Sequence, residues 1–450
     1  MSKLSLKIFG FVWALLMVAA LMANGETGDE APALNLDRAL QLAVESNFGI
    51  QRAIEQIEEQ EGVILSVKSS LLPNASVSGN YNWLDRGLSD PLNPGPSTDR
   101  AWSAEIGVRQ LFYSGGGVRN SLEAQEFVRS AARLQLMGVV NRELFNVSVR
   151  FYDVLLARGQ IEVEEENIGL LEEQLGDVRN RFEAGAVSQF EVLQAEVALA
   201  NGKPRLIRAK NQYRISLEEL MQAIGSNPQK AGGVPEIVGE LEFEPFAYEL
   251  EESLMEARRN RPELQALKLL EEAEARGVAV ARAGYLPEIN GLAAWQFRKS
   301  SGSKDLEDSL NGWVLGVEGR WAIWDGNRTA GEVRAARSRL RQAEIDSRDT
   351  AFAVEVEVRR AVSALQEAVE LVEAAGKVIE QAEESLRLAK VRFDSGAATQ
   401  LDVLQSQVAL TEARLNLLEA KYAHNVAATE LRRAVGQPEL FVDEDQLVER

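Results

Sequence analysis

Residues 181–200 read RFEAGAVSQFEVLQAEVALA, and residues 392–411 read RFDSGAATQLDVLQSQVALT, 211 positions later. Arg181/Arg392, Phe182/Phe393, Gly185/Gly396, Gln189/Gln400, Val192-Leu193-Gln194/Val403-Leu404-Gln405 and Val197-Ala198-Leu199/Val408-Ala409-Leu410 coincide, and the match runs on to Gly225/Gly436. A duplication of this length sets the architecture and governs every local reading. It implies two equivalent halves, each built from the same helices and strands.

The duplication extends outward from this stretch. Leu36-Asp37…Leu40 answers Leu250-Glu251…Leu254, and Leu72-Pro73 answers Leu286-Pro287, at an offset of 214. Trp102…Ile106…Arg109…Phe112…Gly115 answers Trp313…Val317…Arg320…Ile323…Gly326 at 211. The offset therefore changes once, by three residues, between Trp83 (opposite Phe297) and Trp102 (opposite Trp313). Both copies of that interval are rich in Gly, Pro, Ser and Asp and predict loops, where a change of length costs little. The repeats are predicted over 24–228 and 249–438, joined by a linker at 229–248 and followed by a tail at 439–450.

Residues 1–23 predict a secretory signal peptide: Lys3 and Lys7 precede an apolar run from Ile8 to Leu21, with small residues around Ala23 and Gly25. About 14 apolar residues are too few for a membrane span. The formal charge is −20, and −22 once the two lysines are removed. So acidic a chain repels nucleic acid, and no nucleic-acid partner is expected. There is no cysteine, which excludes disulfides, thiol chemistry and lipid attachment at a cysteine. The single histidine, His424, lies opposite Tyr213 on a helix of the second copy. No nucleophile, base or metal cluster emerges, so neither an enzyme nor a cofactor is expected.

After Pro73, the residues Ala75, Val77, Gly79, Tyr81 and Trp83 alternate with Asn74, Ser76, Ser78, Asn80 and Asn82. That is period-two patterning over ten residues, the mark of a strand with one apolar and one polar face. Trp102, Ala104, Ile106 and Val108 alternate with Ser103, Glu105 and Arg109. In the second half Gly291, Ala293, Trp295 and Phe297 share a face, as do Leu315, Val317, Trp321 and Ile323 against Glu318 and Arg320. The predicted strands are about 74–84, 101–113, 288–298 and 312–324, and all tryptophans but Trp13 fall in them. Strands of this length, with aromatic ends, fit a transmembrane β-barrel. Four strands cannot close a barrel, and open edges are not tolerated in lipid, so the sheet must close with further copies of the chain. Glu105, Arg109, Glu318 and Arg320 then face the lumen.

From Val118 to Phe182 and from Arg328 to Phe393 there is no proline. Each helical run of about 65 residues would be roughly 100 Å long. Leu171, Leu175, Val178 and Phe182 are spaced 4-3-4, as are Ala382, Leu386, Ala389 and Phe393, and Leu404, Val408, Thr411, Leu415, Leu418 and Tyr422 continue that spacing. This is coiled-coil patterning. Gly185 and Gly396 end the long helices, which restart near Gln189 and Gln400. Each half is thus a helical hairpin with a glycine at its tip, and Pro204 predicts a kink or break in the first returning helix.

Together these pieces resemble the outer membrane efflux protein family of the TolC type, over Leu34 to Pro438. The carriers are the doubled RF-x-x-G-x-x-[ST]-Q-[FL]-[ED]-V-L-Q-[AS] tips, the Leu-Pro strand entries, and the FYSGGG (112–117) and IWDGNR (323–328) exits. The resemblance implies a mainly α fold with a small β part. Long helical hairpins would form a trimeric α-barrel, continuous with a 12-stranded transmembrane β-barrel to which each chain gives four strands. It implies a passive duct of a tripartite efflux or type I secretion system, set in outer membrane lipid and crossing the periplasm. The partners would be two further copies, a periplasmic adaptor and an inner membrane transporter.

The resemblance places adaptor docking at Gly185-Ala186-Val187 and Gly396-Ala397-Ala398. It places an acidic constriction of the periplasmic entrance at Asp402, with Glu191 its counterpart in the first repeat. Gln405 stands where the family pattern has a second acid, and Gln194 answers it in the first repeat, which weakens the carry-over of the gating network. The alternative is a periplasmic coiled-coil adaptor or structural protein, but such chains carry one hairpin and no pair of amphipathic strand hairpins.

Overall fold

In the computed structural model, the described residues are 33–83, 100–226, 235–245, 248–299 and 309–437. The predicted signal peptide, the predicted strand-connecting loops with the three-residue length change, much of the predicted linker and the C-terminal tail lie outside them. Each half contributes two short helices, a strand pair and a long hairpin. In the first half these are α1 (Leu36–Ser46), α2 (Phe48–Ser69), β1 (Asn74–Trp83), β2 (Arg100–Tyr113), α3 (Gly117–Glu183) and α4 (Gln189–Ile224). In the second they are α5 (Leu250–Asn260), α6 (Pro262–Ala283), β3 (Glu288–Lys299), β4 (Ser309–Arg320), α7 (Arg328–Asp394) and α8 (Gln400–Val435). Equivalent helices have identical lengths, 11, 22, 67 and 36 residues. The sequence repeat is therefore a structural repeat.

The residues that divide the short helices differ between the halves. Asn47 caps α2, its Oδ1 accepting the N–H groups of Gly49 and Ile50 at 2.7 and 3.1 Å. At the equivalent point Arg261 is extended and Pro262 opens α6, a position where the missing proline N–H costs nothing. Helix α4 runs unbroken through Pro204, so the predicted break does not occur. Gly202, two residues earlier, sits so close to Ile168 that a Cβ there would come within 2.8 Å of its Cδ1. Packing against α3 holds the helix where proline alone would open it.

The chain divides into two compact units that cut across the repeats. One comprises the described residues up to Ser46 with Val147–Glu242 and Lys377–Tyr422; the other comprises Asn47–Asn146, Phe243–Gly376 and the described residues from Ala423. In the first, Ala382, Leu386, Val403, Leu410 and Ala413 form a buried seam between α7 and α8. A second seam of α8 meets α3. Thr411 donates to Asn167 Oδ1 (3.3 Å), Leu418 lies where a Cβ on Gly159 would be (2.7 Å), and the Tyr422 hydroxyl donates to Asp153 (2.7 Å). The 4-3 stripe from Leu404 to Tyr422 thus belongs in part to α3 rather than to its own hairpin, and Val408 on it is exposed. In this unit the linker also pairs with the start of the chain. Leu34 N–H donates to Glu236 O and Val238 N–H to Leu34 O (2.8 and 3.0 Å), and Arg158 donates to Ile237 O (2.9 Å).

The second unit carries the sheet, antiparallel in the order β1-β2-β3-β4. Its helical core joins Leu254 and Ala257 of α5 to Val354, Val358 and Leu365 of α7 and Leu431 and Val435 of α8. Alanines fill much of the rest, which lets the helices approach closely. Strand β4 ends at Arg320, short of the predicted Trp324. Its last pair is Arg320↔Glu288, because β3 begins there, after Pro287. Trp321 and Trp324 therefore lie beyond the strand.

Candidate functional site

Two places bear on function: the hairpin tips, in the first unit, and the faces of the sheet, in the second. At each tip the long helix closes with a left-handed glycine, Gly185 at φ 72° and Gly396 at φ 77°. Gly185 N–H donates to Phe182 O and Ala186 N–H to Arg181 O (2.9 and 2.8 Å); Gly396 and Ala397 repeat both bonds on Phe393 and Arg392 (3.0 and 2.7 Å). This double bond satisfies the last carbonyls of the helix and reverses the chain. Ala186, Val187 and Ala397 therefore occupy the turn as the sequence predicts.

The returning helices start differently. Thr399 and Asp402 form a reciprocal box at the start of α8. Asp402 Oδ2 accepts from Thr399 N and Oγ1, both at 2.7 Å, and Asp402 N–H donates to Thr399 Oγ1 at 3.3 Å. These bonds from Thr399, with the nearby Arg392 charge, hold the Asp402 carboxyl below its ordinary value. In the first repeat Ser188 Oγ reaches only Glu191 Oε1, at 3.4 Å, and gives its helix no side-chain cap.

A cleft of about 510 Å³ lies between the tips. Glu191, Gln194, Ala186, Val187, Gly396 and Ala398 line it, whereas Asp402 and Gln405 do not and are exposed elsewhere. The structure thus brings together half of the four predicted constriction residues. Arg181 spans the cleft: it pairs with Asp394 at 2.5 Å, its guanidinium 4.8 Å from the Phe393 ring centre. Its equivalent Arg392 turns back onto Ala397 O (3.4 Å). Gln400 also lines the cleft, is 2 % exposed, and neither amide atom has a hydrogen-bond partner among the described residues. Sequence reading passed over this pair and this glutamine. Gln400 coincides with Gln189 in the repeat, yet only Gln400 is buried.

On the sheet, the strand register aligns Val77, Ile106, Trp295 and Trp313 across all four strands, and Ala75, Val108, Ala293 and Leu315 beside them. The opposite face carries Glu105, Arg109, Glu318 and Arg320. Glu105 accepts from Gln296 Nε2 (2.8 Å), and Glu318 lies 3.5 Å from Arg320. Trp313, Leu315 and Val317 are 71–73 % exposed. Gly291 leaves space over which the Phe112 ring lies, where a Cβ would come within 2.5 Å of it. Among the described residues no helix is long and apolar enough to cross a membrane.

A sheet apolar on one face and charged on the other, carried on paired helical hairpins, defines an export-channel chain. Comparison with known proteins gives the same class. The profile of the outer membrane efflux protein family matches residues 39–226 and 254–437. The outer membrane efflux protein BepC of Brucella suis is 25 % identical over 433 residues, covering 94 % of this chain and 90 % of that protein. The cobalt-zinc-cadmium resistance protein CzcC of Cupriavidus metallidurans is 25 % identical over 445 residues, covering 95 % and 98 %. The crystal structure of the Campylobacter jejuni CmeC outer membrane channel superposes with a TM-score of 0.78 at 17 % identity, covering 95 % of this chain and 93 % of that one. The chain belongs to the outer membrane efflux protein family. It is an exit channel of the outer membrane that extends into the periplasm.

Proposed function

We propose that three copies of this chain close into one passive duct, which receives cargo at the hairpin tips from a periplasmic adaptor and an inner membrane transporter. The observation that carries this reading is the sheet. Strands β1 and β4 are its edges, each with no strand partner on one side among the described residues. All ten residues of β1 are exposed, and β4 is nearly as exposed. Edges of this kind are costly in lipid and are satisfied by β1 of one copy meeting β4 of the next. Three chains of four strands give twelve, a number at which an antiparallel barrel encloses an aqueous lumen. Glu105, Arg109, Glu318 and Arg320 line that lumen.

The tips are the entrance. Gly185-Ala186-Val187 and Gly396-Ala397-Ala398 offer small side chains to an adaptor, and Glu191, Gln194, Asp402 and Gln405 narrow the opening. Two of these four are neutral, so the constriction is less negative than a doubled acidic ring. Asp402 is engaged with Thr399 in its own helix, so Glu191 in the cleft is the more available carboxylate. One relative is named for resistance to cobalt, zinc and cadmium; among the described residues no cluster of His, Asp or Glu is placed to hold a metal ion, and on this reading cargo choice belongs to the transporter.

The test is fractionation followed by sizing. The chain should require detergent for release from the outer membrane and run as a trimer. A periplasmic monomer, soluble without detergent, would overturn the reading in favour of an adaptor or structural protein.

A further inference from the structure

A cleft of about 570 Å³ opens between the end of α6 and the start of α7, within the unit that carries the sheet. Arg282 of α6 and Arg334, Arg337 and Arg341 of α7 line it. Spacings of three and four place the three α7 arginines on one helix face. Nearby arginines find acids: Arg328 pairs with Glu332, and Arg339 with Glu274. None of the four cleft arginines is ion-paired among the described residues. In a chain with 69 acidic residues and a formal charge of −20, that is a marked local reversal of sign.

The cleft adjoins the apolar face of the sheet at the helical end of the strands. Tyr285, which also lines it, accepts the indole N–H of Trp321 on its main-chain oxygen at 3.0 Å. Trp321 continues the apolar alternation of Trp313, Leu315 and Val317. It is followed by Ile323 and Trp324, and these three side chains are 58, 84 and 79 % exposed. Tryptophans at this level are suited to the headgroup layer of a membrane. A few residues along the strands, Val108, Phe112, Ala293, Leu315 and Val317 form an apolar groove of about 450 Å³.

We propose that the arginine cleft binds the phosphate of an anionic phospholipid in the periplasmic leaflet, with an acyl chain lying in the apolar groove. Guanidinium forks match phosphate oxygens two at a time and keep their charge at any pH of interest. Cationic side chains beside a membrane surface draw anionic lipid to it. The proposal rests on the sheet being the membrane-embedded part of the chain.

The experiment is native mass spectrometry of the full-length protein in detergent, titrated with phosphatidylglycerol or phosphatidylcholine. Phosphatidylglycerol should bind more tightly. The double variant R334Q/R337Q should weaken its binding roughly 30-fold, while R334K/R337K retains most of it. A control, R359Q/R360Q, removes the same charge from exposed positions of α7 and should leave binding unchanged.

Equal binding of the two lipids, or equal loss in the control, would overturn the proposal. Competition by free glycerol phosphate as effective as by lipid would make this a soluble-anion site and overturn it too. If R334Q/R337Q lowers the mass of the assembly, the arginines serve contacts between copies instead. A chain that is soluble without detergent would fail the membrane placement itself, a separate and recognisable outcome.

Discussion

Glu357 is the acid on which two arginines of the sheet-bearing unit converge. Arg261 Nη1 donates to its Oε2 and Arg433 Nη2 to its Oε1. The Arg261 side chain is 5 % exposed, against 22 % for Arg433, and the other acid near Arg261 is Glu263, at 3.9 Å. The Glu357→Ala variant would leave the Arg261 guanidinium buried without a close carboxylate. One-sided removal of this kind costs about 3–5 kcal/mol. Arg433 is more exposed than Arg261 and keeps a cation–π contact with Phe145 at 5.0 Å, so losing Glu357 costs less at Arg433 than at Arg261. Replacing both, as Arg261→Met with Glu357→Met, should recover most of that loss, because only the less buried Arg433 is then left without its carboxylate.

The assay is hydrogen exchange read by mass spectrometry on peptides covering 351–366 and the start of α6, where Arg261 precedes the helix. A loss of about 3 kcal/mol in local opening energy is a roughly 100-fold acceleration of exchange. The first repeat supplies an internal control. Asn47, Asn146 and Gln222 stand at the equivalent positions, but Arg433 lies on Phe145, so the peptide to compare is 189–200 of α4, which carries none of these residues and should be unaffected. Acceleration below about tenfold for Glu357→Ala, or a double methionine variant as damaged as the single one, would refute the reasoning.

Three further outcomes follow from other sites. Asp394→Arg should separate the two tips by breaking the pair with Arg181, and Arg181→Asp in the same chain should restore them; spin labels on cysteines introduced at Ala184 and Ser395, in a chain with no others, would read the distance. The pair is largely exposed, so the effect on global stability should stay below about 1 kcal/mol. Because the Asp402 carboxyl is held below its ordinary value by Thr399, its contribution is present above that value and is lost as pH falls through the lowered one. Exchange at the start of α8 should therefore accelerate in strong acid, and Thr399→Ala, which removes the hydroxyl bond but keeps the main-chain one, should shrink that step without abolishing it. Burial, then the Arg432 charge, lowers His424, which lies edge-on to Phe243 at 4.9 Å. The unfolded chain then binds the extra proton, so stability falls as pH drops through the ordinary histidine range, and His424→Phe should flatten that part of an unfolding-against-pH curve.

Much of this fold was legible because two periodicities are written plainly in the chain. Alternation over Asn74–Trp83 and its three partners identified the strands and their faces, and the proline-free runs ending in Gly185 and Gly396 identified the hairpins. Alternation could not say where pairing stops. Trp321 and Ile323 keep the pattern, but β3 has no residue left to pair with them before Pro287. The break between the short helices was missed because Asn47 and Arg261 share no signature: one acts through a side-chain cap, the other through a following proline. At the tips, motif matching found the turns but not the Arg181–Asp394 pair, which depends on the second hairpin lying alongside the first. Nor could it separate Gln189 from Gln400, identical in sequence and opposite in burial.

The central claim, that this chain forms a duct, is tested most directly by reconstituting the purified protein in a planar lipid bilayer. Discrete, long-lived current steps are predicted, with their size changed by Glu191→Ala at the entrance. A protein that inserts as a trimer yet carries no ionic current, or whose current is the same with and without Glu191, would contradict the claim in the first case and the placing of the entrance in the second.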